Sequence, residues 1–215
     1  MSARLVVVEG LDGAGKNTLT TALVAELARR DLAVGRLAFP RYGTPYADLA
    51  ADALHGGQAG TADSPHAMAL LFAMDRHAAL GELSALAGAN DVVLLDRYVA
   101  SNAAYTAARL GAGRAAEAVE WIGALEFDRL GLPVPDLQIL LDTPVALAAE
   151  RTGSRETDDP DRTRDRYERD AALQADTSRA YRRLAEASWR SPWSVVGSEP
   201  DVGELADVVV GLSAA

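Results

Sequence analysis

Cysteine is absent from this chain, which excludes disulfides and thiolate metal sites. Lysine is almost absent. Of 21 lysine and arginine residues a single one, Lys16, is lysine. Positive charge as a whole is scarce, since 31 acidic residues leave a formal net charge of −10. A nucleic-acid partner is therefore not expected, because such partners require a basic face. No uncharged stretch is long enough to span a membrane, so no membrane partner is expected either. Residues 5–8 are apolar, but Glu9 and Gly10 interrupt the run before it resembles a secretion signal, and the plain expectation is a cytoplasmic protein. Internal repeats and Gly/Ser/Pro-rich linkers are also missing. With 49% hydrophobic residues over 215 positions, the chain suits one α/β domain, 1–215.

The one lysine stands in Gly10-Leu11-Asp12-Gly13-Ala14-Gly15-Lys16-Asn17-Thr18, a near-complete phosphate-binding loop. In such a loop backbone N–H groups wrap a polyphosphate, the following helix end adds partial positive charge, and a compact ammonium reaches the outer phosphates. Arginine, a planar fork, does not fill that slot in the same way. The context fits: Arg4–Glu9 reads as a buried strand before the loop and Lys16–Arg30 as a helix after it. One position departs from the pattern. Asn17 stands where serine or threonine usually ligates magnesium, with a hydroxyl one residue later at Thr18 and Asp12 inside the loop as an anionic metal anchor.

Further strands are expected at Val34–Ala38, Val92–Leu95, Leu137–Leu141 and Ser194–Val196, separated by helical patterns. Residues 44–88 read as two helices broken by Gly56, Gly57 and Gly60, and further helices fill 99–109, 114–130 and the stretch up to about Trp189. Strands alternating with helices imply right-handed crossovers and a parallel sheet between helical layers. The segment 150–166, dense in both charge signs, reads as a mobile insertion holding Arg155 and Arg162. Its arginines suit either a solvated, salt-bridged face or a lid that closes over transferring phosphates.

Two more constellations bear on chemistry. Val92–Leu95 ends in Asp96-Arg97-Tyr98, at the strand edge where ligands of open α/β sheets gather, although a strand cap with a surface salt bridge reads the same in isolation. Ser101, Asn102 and Tyr105 share a helix face behind it, and Phe72 and Arg76 share a face on an earlier helix. An aromatic ring with an arginine, and an amide with a tyrosine, are side chains suited to a base and its sugar. Core aromatics and surface charges would show the same spacing.

Taken in order, these motifs resemble the bacterial-type thymidylate kinase family over nearly the whole chain. The resemblance runs from Glu9–Lys16 through Phe39-Pro40-Arg41-Tyr42, Leu71–Arg76, Asp96–Tyr105 and Gly131–Asp136 to Tyr167-Glu168. It implies a P-loop NTPase fold of the nucleoside monophosphate kinase type, with a five-stranded parallel sheet sandwiched between helices and a short lid at about 150–166. It also implies a homodimer, and phosphorylation of thymidine monophosphate by ATP and magnesium in dTTP synthesis. By the same resemblance Gly10–Thr18 bind ATP. Phe39, Arg41, Tyr42 and Arg97 meet the acceptor and its phosphate, with Asp12 and Ser101 in the same set. Phe72 stacks on thymine, Arg76 and Asn102 bond its edge, Tyr105 crowds the sugar 2′ position and Tyr167 walls the pocket. Asp12 and Glu168 hold magnesium or its waters. The catalytic set is Asp12, Lys16 and Arg97 with a lid arginine, Arg155 or Arg162, because Gly13 stands where some family members carry a loop arginine. Two rival readings are a kinase of another monophosphate or nucleoside and, from a different class, a nucleotide sensor without transfer activity. Monophosphate specificity and product formation separate them.

Overall fold

Apolar, β-branched runs alternate along the chain with stretches of helical period, and the computed structural model of the protein realises that alternation as a wound sheet. It describes residues 3–57, 60–158 (side chains to Ser154) and 165–212. In chain order the elements are β1 (Arg4–Glu9), α1 (Lys16–Ala28), β2 (Val34–Ala38), α2 (Pro45–Leu54), α3 (Pro65–Ala78), α4 (Leu80–Ala89), β3 (Val92–Asp96), α5 (Val99–Leu110) and α6 (Ala115–Gly123). A π-helical turn (Ala124–Arg129) follows, then β4 (Leu137–Leu141), α7 (Val145–Asp158), α8 (Arg166–Arg169), α9 (Ala171–Glu186), β5 (Trp193–Val196) and α10 (Val202–Gly211).

Among the described residues five strands form one parallel sheet in the order β2-β3-β1-β4-β5. Alternation of side chains across the strands divides the core in two. Val7, Val93, Leu95 and Leu140 face a layer that includes Tyr98, Ile122 and Tyr181. Val6, Val8, Leu94 and Ile139 face Leu19, Leu23, Leu27 and Val209. A third cluster, under α2 and α3, holds Leu54, Met68, Tyr167 and Leu173. The order places β3 directly beside β1, with Val8 opposite Asp96, so the loop after β1 and the Asp96-Arg97-Tyr98 run leave the sheet side by side. The strands all run the same way, but the winding of their connections reverses beside β1, and the crevice at the carboxyl ends of the strands there is where open α/β sheets bind ligands.

The structure departs from the sequence expectation in three places. The helical stretch after Ser64 is two helices meeting at Ala79, where no glycine or proline marks the break. The helix expected over 114–130 ends in the π-helical turn. The first half of the charged segment is helix: α7 continues to Asp158, with Ala148 and Thr152 buried one turn apart on its inner face and Glu150 exposed. Interleaved charge is what a solvated helix face looks like, and two small inner residues give it somewhere to pack.

Candidate active site

The loop between β1 and α1 begins α1 at Gly15, a left-handed residue with φ of 105°. At Gly13 the backbone has φ of 81°, and a Cβ there would stand 2.0 Å from the carbonyl oxygen of Ala148 in α7. Only glycine fits. The loop is also tied from β4 and α7, since Thr143 Oγ1 and Arg151 Nη1 donate to the Ala14 carbonyl at 3.0 and 3.3 Å. Lys16 is buried and its Nζ donates to the carbonyls of Gly10 and Leu11 at 3.2 and 2.9 Å, inside the turn of the loop. Burial and the nearby Arg97 charge bring this ammonium down to about 8, against the opposing pull of Asp12, Asp96 and Glu9. Outside the loop opens a cleft of about 1270 Å³. Asp12, Gly13, Gly15, Lys16, Asn17 and Thr18 line it, together with Arg151, Asp165 and Glu168. Leu11 and Ala14 instead point into the core, and Gly10 presses on the Leu141 carbonyl.

Arg97 holds the middle of the site. Its backbone lies in the left-handed region, φ 67°, which costs a side-chain-bearing residue free energy and is characteristic of functional positions. Its N–H donates to the Val8 carbonyl at 2.9 Å. The guanidinium donates to Asp12 Oδ1 at 2.5 Å, and to Ser101 Oγ and Tyr181 Oη at 3.1 and 3.3 Å. Tyr105 donates to the other oxygen of Asp12 at 2.8 Å. Burial disfavours the Asp12 carboxylate, but the Arg97 and Lys16 charges with these hydrogen bonds hold it well below the usual carboxylate range. Behind the guanidinium lies Glu9, fully buried at the end of β1. It accepts from the N–H groups of Tyr98 and Ser101 at the start of α5, and from the hydroxyls of Ser101 and Tyr181. A carboxylate there satisfies N–H groups that a helix start leaves without partners. Burial pushes its own pKa up against those contacts.

A second, narrower cavity of about 110 Å³ lies on the far side of Arg97. Phe72, Arg76, Ser101, Asn102, Tyr105 and Tyr167 line it, and Asp12, Phe39, Pro40, Tyr42, Arg97 and Asp165 line both cavities. Tyr167 stacks on Tyr105 with ring centres 5.8 Å apart and accepts a hydrogen bond from Arg109. Arg76 and Asn102 both bond Glu126 from the π-helical turn.

Arg41 is not brought into either cavity. Its guanidinium and N–H are engaged by the buried Asp75, with Glu82 beyond, so the expected grip on a phosphate has no geometric footing in this arrangement. A carboxylate one residue before Arg76 captures it first. Of Arg155 only the backbone is described, within α7, and Arg162 lies outside the described residues. Sequence reasoning missed Glu9, Arg109, Glu126 and Asp165; Arg151 was legible only as one of the clustered arginines of the charged segment. Arg109 was signalled by its four-residue spacing from Tyr105, whereas nothing in the sequence marks the π-helical turn that brings Glu126 inward. Asp165 caps α8 in a reciprocal pair with Glu168, a pattern visible as Asp-x-x-Glu.

The two cavities thus meet at Asp12 and Arg97, beside the glycine loop. Comparison with known proteins identifies the family. The sequence model of thymidylate kinase matches residues 8–205. The chain belongs to the thymidylate kinase family. Among family members, the thymidylate kinase of Mycobacterium tuberculosis is 50% identical over 203 residues, covering 94% of this chain and 95% of that one. The thymidylate kinase of Desulforudis audaxviator is 33% identical over 215 residues, covering 97% and 89%. A solved thymidylate kinase from Candida albicans shares the fold with a TM-score of 0.71 at 23% identity, over 97% of this chain and 90% of that chain.

Proposed function

We propose that the wide cleft holds ATP and the narrow pocket thymidine monophosphate, so that their phosphates meet at Arg97 and Asp12. The family's reaction is the one this enzyme performs: transfer of the terminal phosphoryl group of ATP to thymidine monophosphate, giving the diphosphate. The observation that carries the assignment of the two cavities is their shared wall, where Asp12, Tyr42 and Arg97 line both.

An acceptor phosphate is already ionised, so the chain needs no covalent intermediate and no strong base. It has to align two anions and neutralise the charge on the moving group. Lys16 and the loop N–H groups hold the β and γ phosphates. Arg97 and Tyr42 hold the acceptor phosphate, and Phe72 stacks on thymine. Tyr105, anchored on Asp12, crowds the 2′ position and favours deoxyribose. A catalytic arginine, Arg155 or Arg162, comes from a lid at about 150–166 within a single domain of residues 1–215. Magnesium fits the donor set, because it is commonly held by one or two carboxylates plus substrate phosphates, and Asp12 and Glu168 both line the wide cleft. When bound with ATP, the ion supplies neutralisation of the β and γ oxygens.

A homodimer belongs to the same proposal. It is supported by exposed Leu70 on α3 and by a hollow of about 390 Å³ that includes His66, Leu110 and Trp121. No described helix is long and apolar enough to cross a membrane. Use of ATP and a free nucleotide supports a cytoplasmic location. The deciding experiment mixes protein, ATP, magnesium and thymidine monophosphate and follows the diphosphate, with uridine and cytidine monophosphates as controls. Nucleotide binding without product would favour the sensor reading and overturn this one.

A further inference from the structure

Glu126 touches neither cavity, yet both side chains expected at the base edge depend on it. Arg76 donates from Nε and Nη2 to its two oxygens at 2.5 and 2.8 Å, and Asn102 Nδ2 donates to Oε1 at 2.7 Å. The second hydrogen of that amide goes to the Ala69 carbonyl of α3 at 3.0 Å. All three polar side chains are nine-tenths buried or more. A buried ion pair is weak evidence for stability, because desolvation offsets its attraction, so its persistence calls for another reason.

Orientation supplies that reason. The two groups facing the Asn102 amide nitrogen, a carboxylate and a carbonyl, can only accept. Reversing the amide would set Oδ1 against two oxygens at hydrogen-bonding distance, so the nitrogen stays turned away and Oδ1 is left to the pocket as an acceptor. Among the described residues Oδ1 accepts no hydrogen bond, and Arg76 Nη1 likewise donates none. The pocket wall therefore offers one acceptor beside one donor. Thymine presents the complement, an N3–H donor next to the O4 acceptor. Cytosine presents the inverse, an N3 acceptor next to an amino donor.

We propose that Glu126, resting on the reading of the narrow pocket as the thymidylate site, is a positioning residue that fixes the donor–acceptor polarity of the base-reading wall and so rejects the cytosine edge. The π-helical turn that carries it belongs to a class of helix defects that recurs at functional sites. Substituting Glu126→Gln removes one of its two accepting oxygens. Both oxygens accept from Arg76, so the new amide nitrogen opposes an Arg76 N–H in either orientation and breaks the two-point pairing; placed at Oε1 it also opposes the Asn102 amide nitrogen, and the fixed donor–acceptor polarity of the wall is lost.

The test measures Kd for thymidine and deoxycytidine monophosphates by calorimetry on wild type, Glu126→Gln and Glu126→Asp, alongside steady-state kinetics. For Glu126→Gln the preference for thymidylate should fall by about tenfold or more, through the KM for thymidylate, with the KM for ATP unchanged. Glu126→Asp keeps the charge but withdraws the carboxylate by one carbon, and should lose part of the preference; it decides the matter alone if the glutamine variant does not fold. An unchanged preference in the folded variants, or an equal loss for both nucleotides, overturns the proposal. Wild-type enzyme that makes no diphosphate from thymidylate would instead sink the function on which the proposal rests.

Discussion

The two halves of the site are built from different materials. One is a wide cleft edged by a glycine turn, one ammonium and the start of a helix; the other is a pocket less than a tenth as large, edged by rings, an amide and guanidinium groups. Backbone N–H groups recognise phosphate oxygens, which every nucleoside triphosphate carries. In the proposed assignment the side chains of the narrow pocket recognise one base and one sugar, so generality and selectivity lie in separate cavities with Arg97 and Asp12 lining both.

That division is most directly broken by Lys16→Ala and Arg97→Ala. Each should lower kcat by about 10²- to 10³-fold on folded protein, the usual loss when a preorganised charge partner of a transition state is removed. Lys16→Ala should leave the Kd for thymidylate at its wild-type value, and equal weakening of both ligands would refute the separation. Phe72→Ala comes next, raising the KM for thymidylate about tenfold through lost base stacking while sparing the KM for ATP. The pH profile sharpens the contrast further. A lysine whose pKa lies near 8 loses its proton as pH rises through that value, so kcat/KM for ATP should decline above about pH 8. Arg97 is driven further above its already high value by Asp12, after burial has pulled the other way, and stays charged throughout. Kd for thymidylate should therefore remain flat from pH 8 to 9. The smallest effect is expected for Arg41→Lys, within about threefold in either KM, because a lysine can keep the pairing with Asp75 and no ligand contact is removed.

Much of the fold was legible because local signals agreed with the global arrangement. Valine-rich β1 and leucine-rich β3 read as buried strands, and Gly13 and Gly15 read as a loop that admits no side chain. The acceptor pocket was legible only as residue types. Which way Arg41 turns depends on Asp75, which reaches it from a separate helix. The role of Glu126 depends on a π-helical turn, whose register has no mark in the sequence. Glu9 shows the same limit, since it stands in a familiar stretch but acquires meaning only when α5 sets two N–H groups over it. Charged residues inside a core are defined by their partners, and the partners come from distant parts of the chain.

The absent side chain of Gly13 has a mechanical consequence. With the Ala148 carbonyl seated against that bare α-carbon, and Thr143 and Arg151 pinned to Ala14, the first two turns of α7 cannot travel independently of the nucleotide turn. The start of α7 and the glycine turn are therefore held as one piece, with main chain against main chain and two side-chain hydrogen bonds on a single carbonyl.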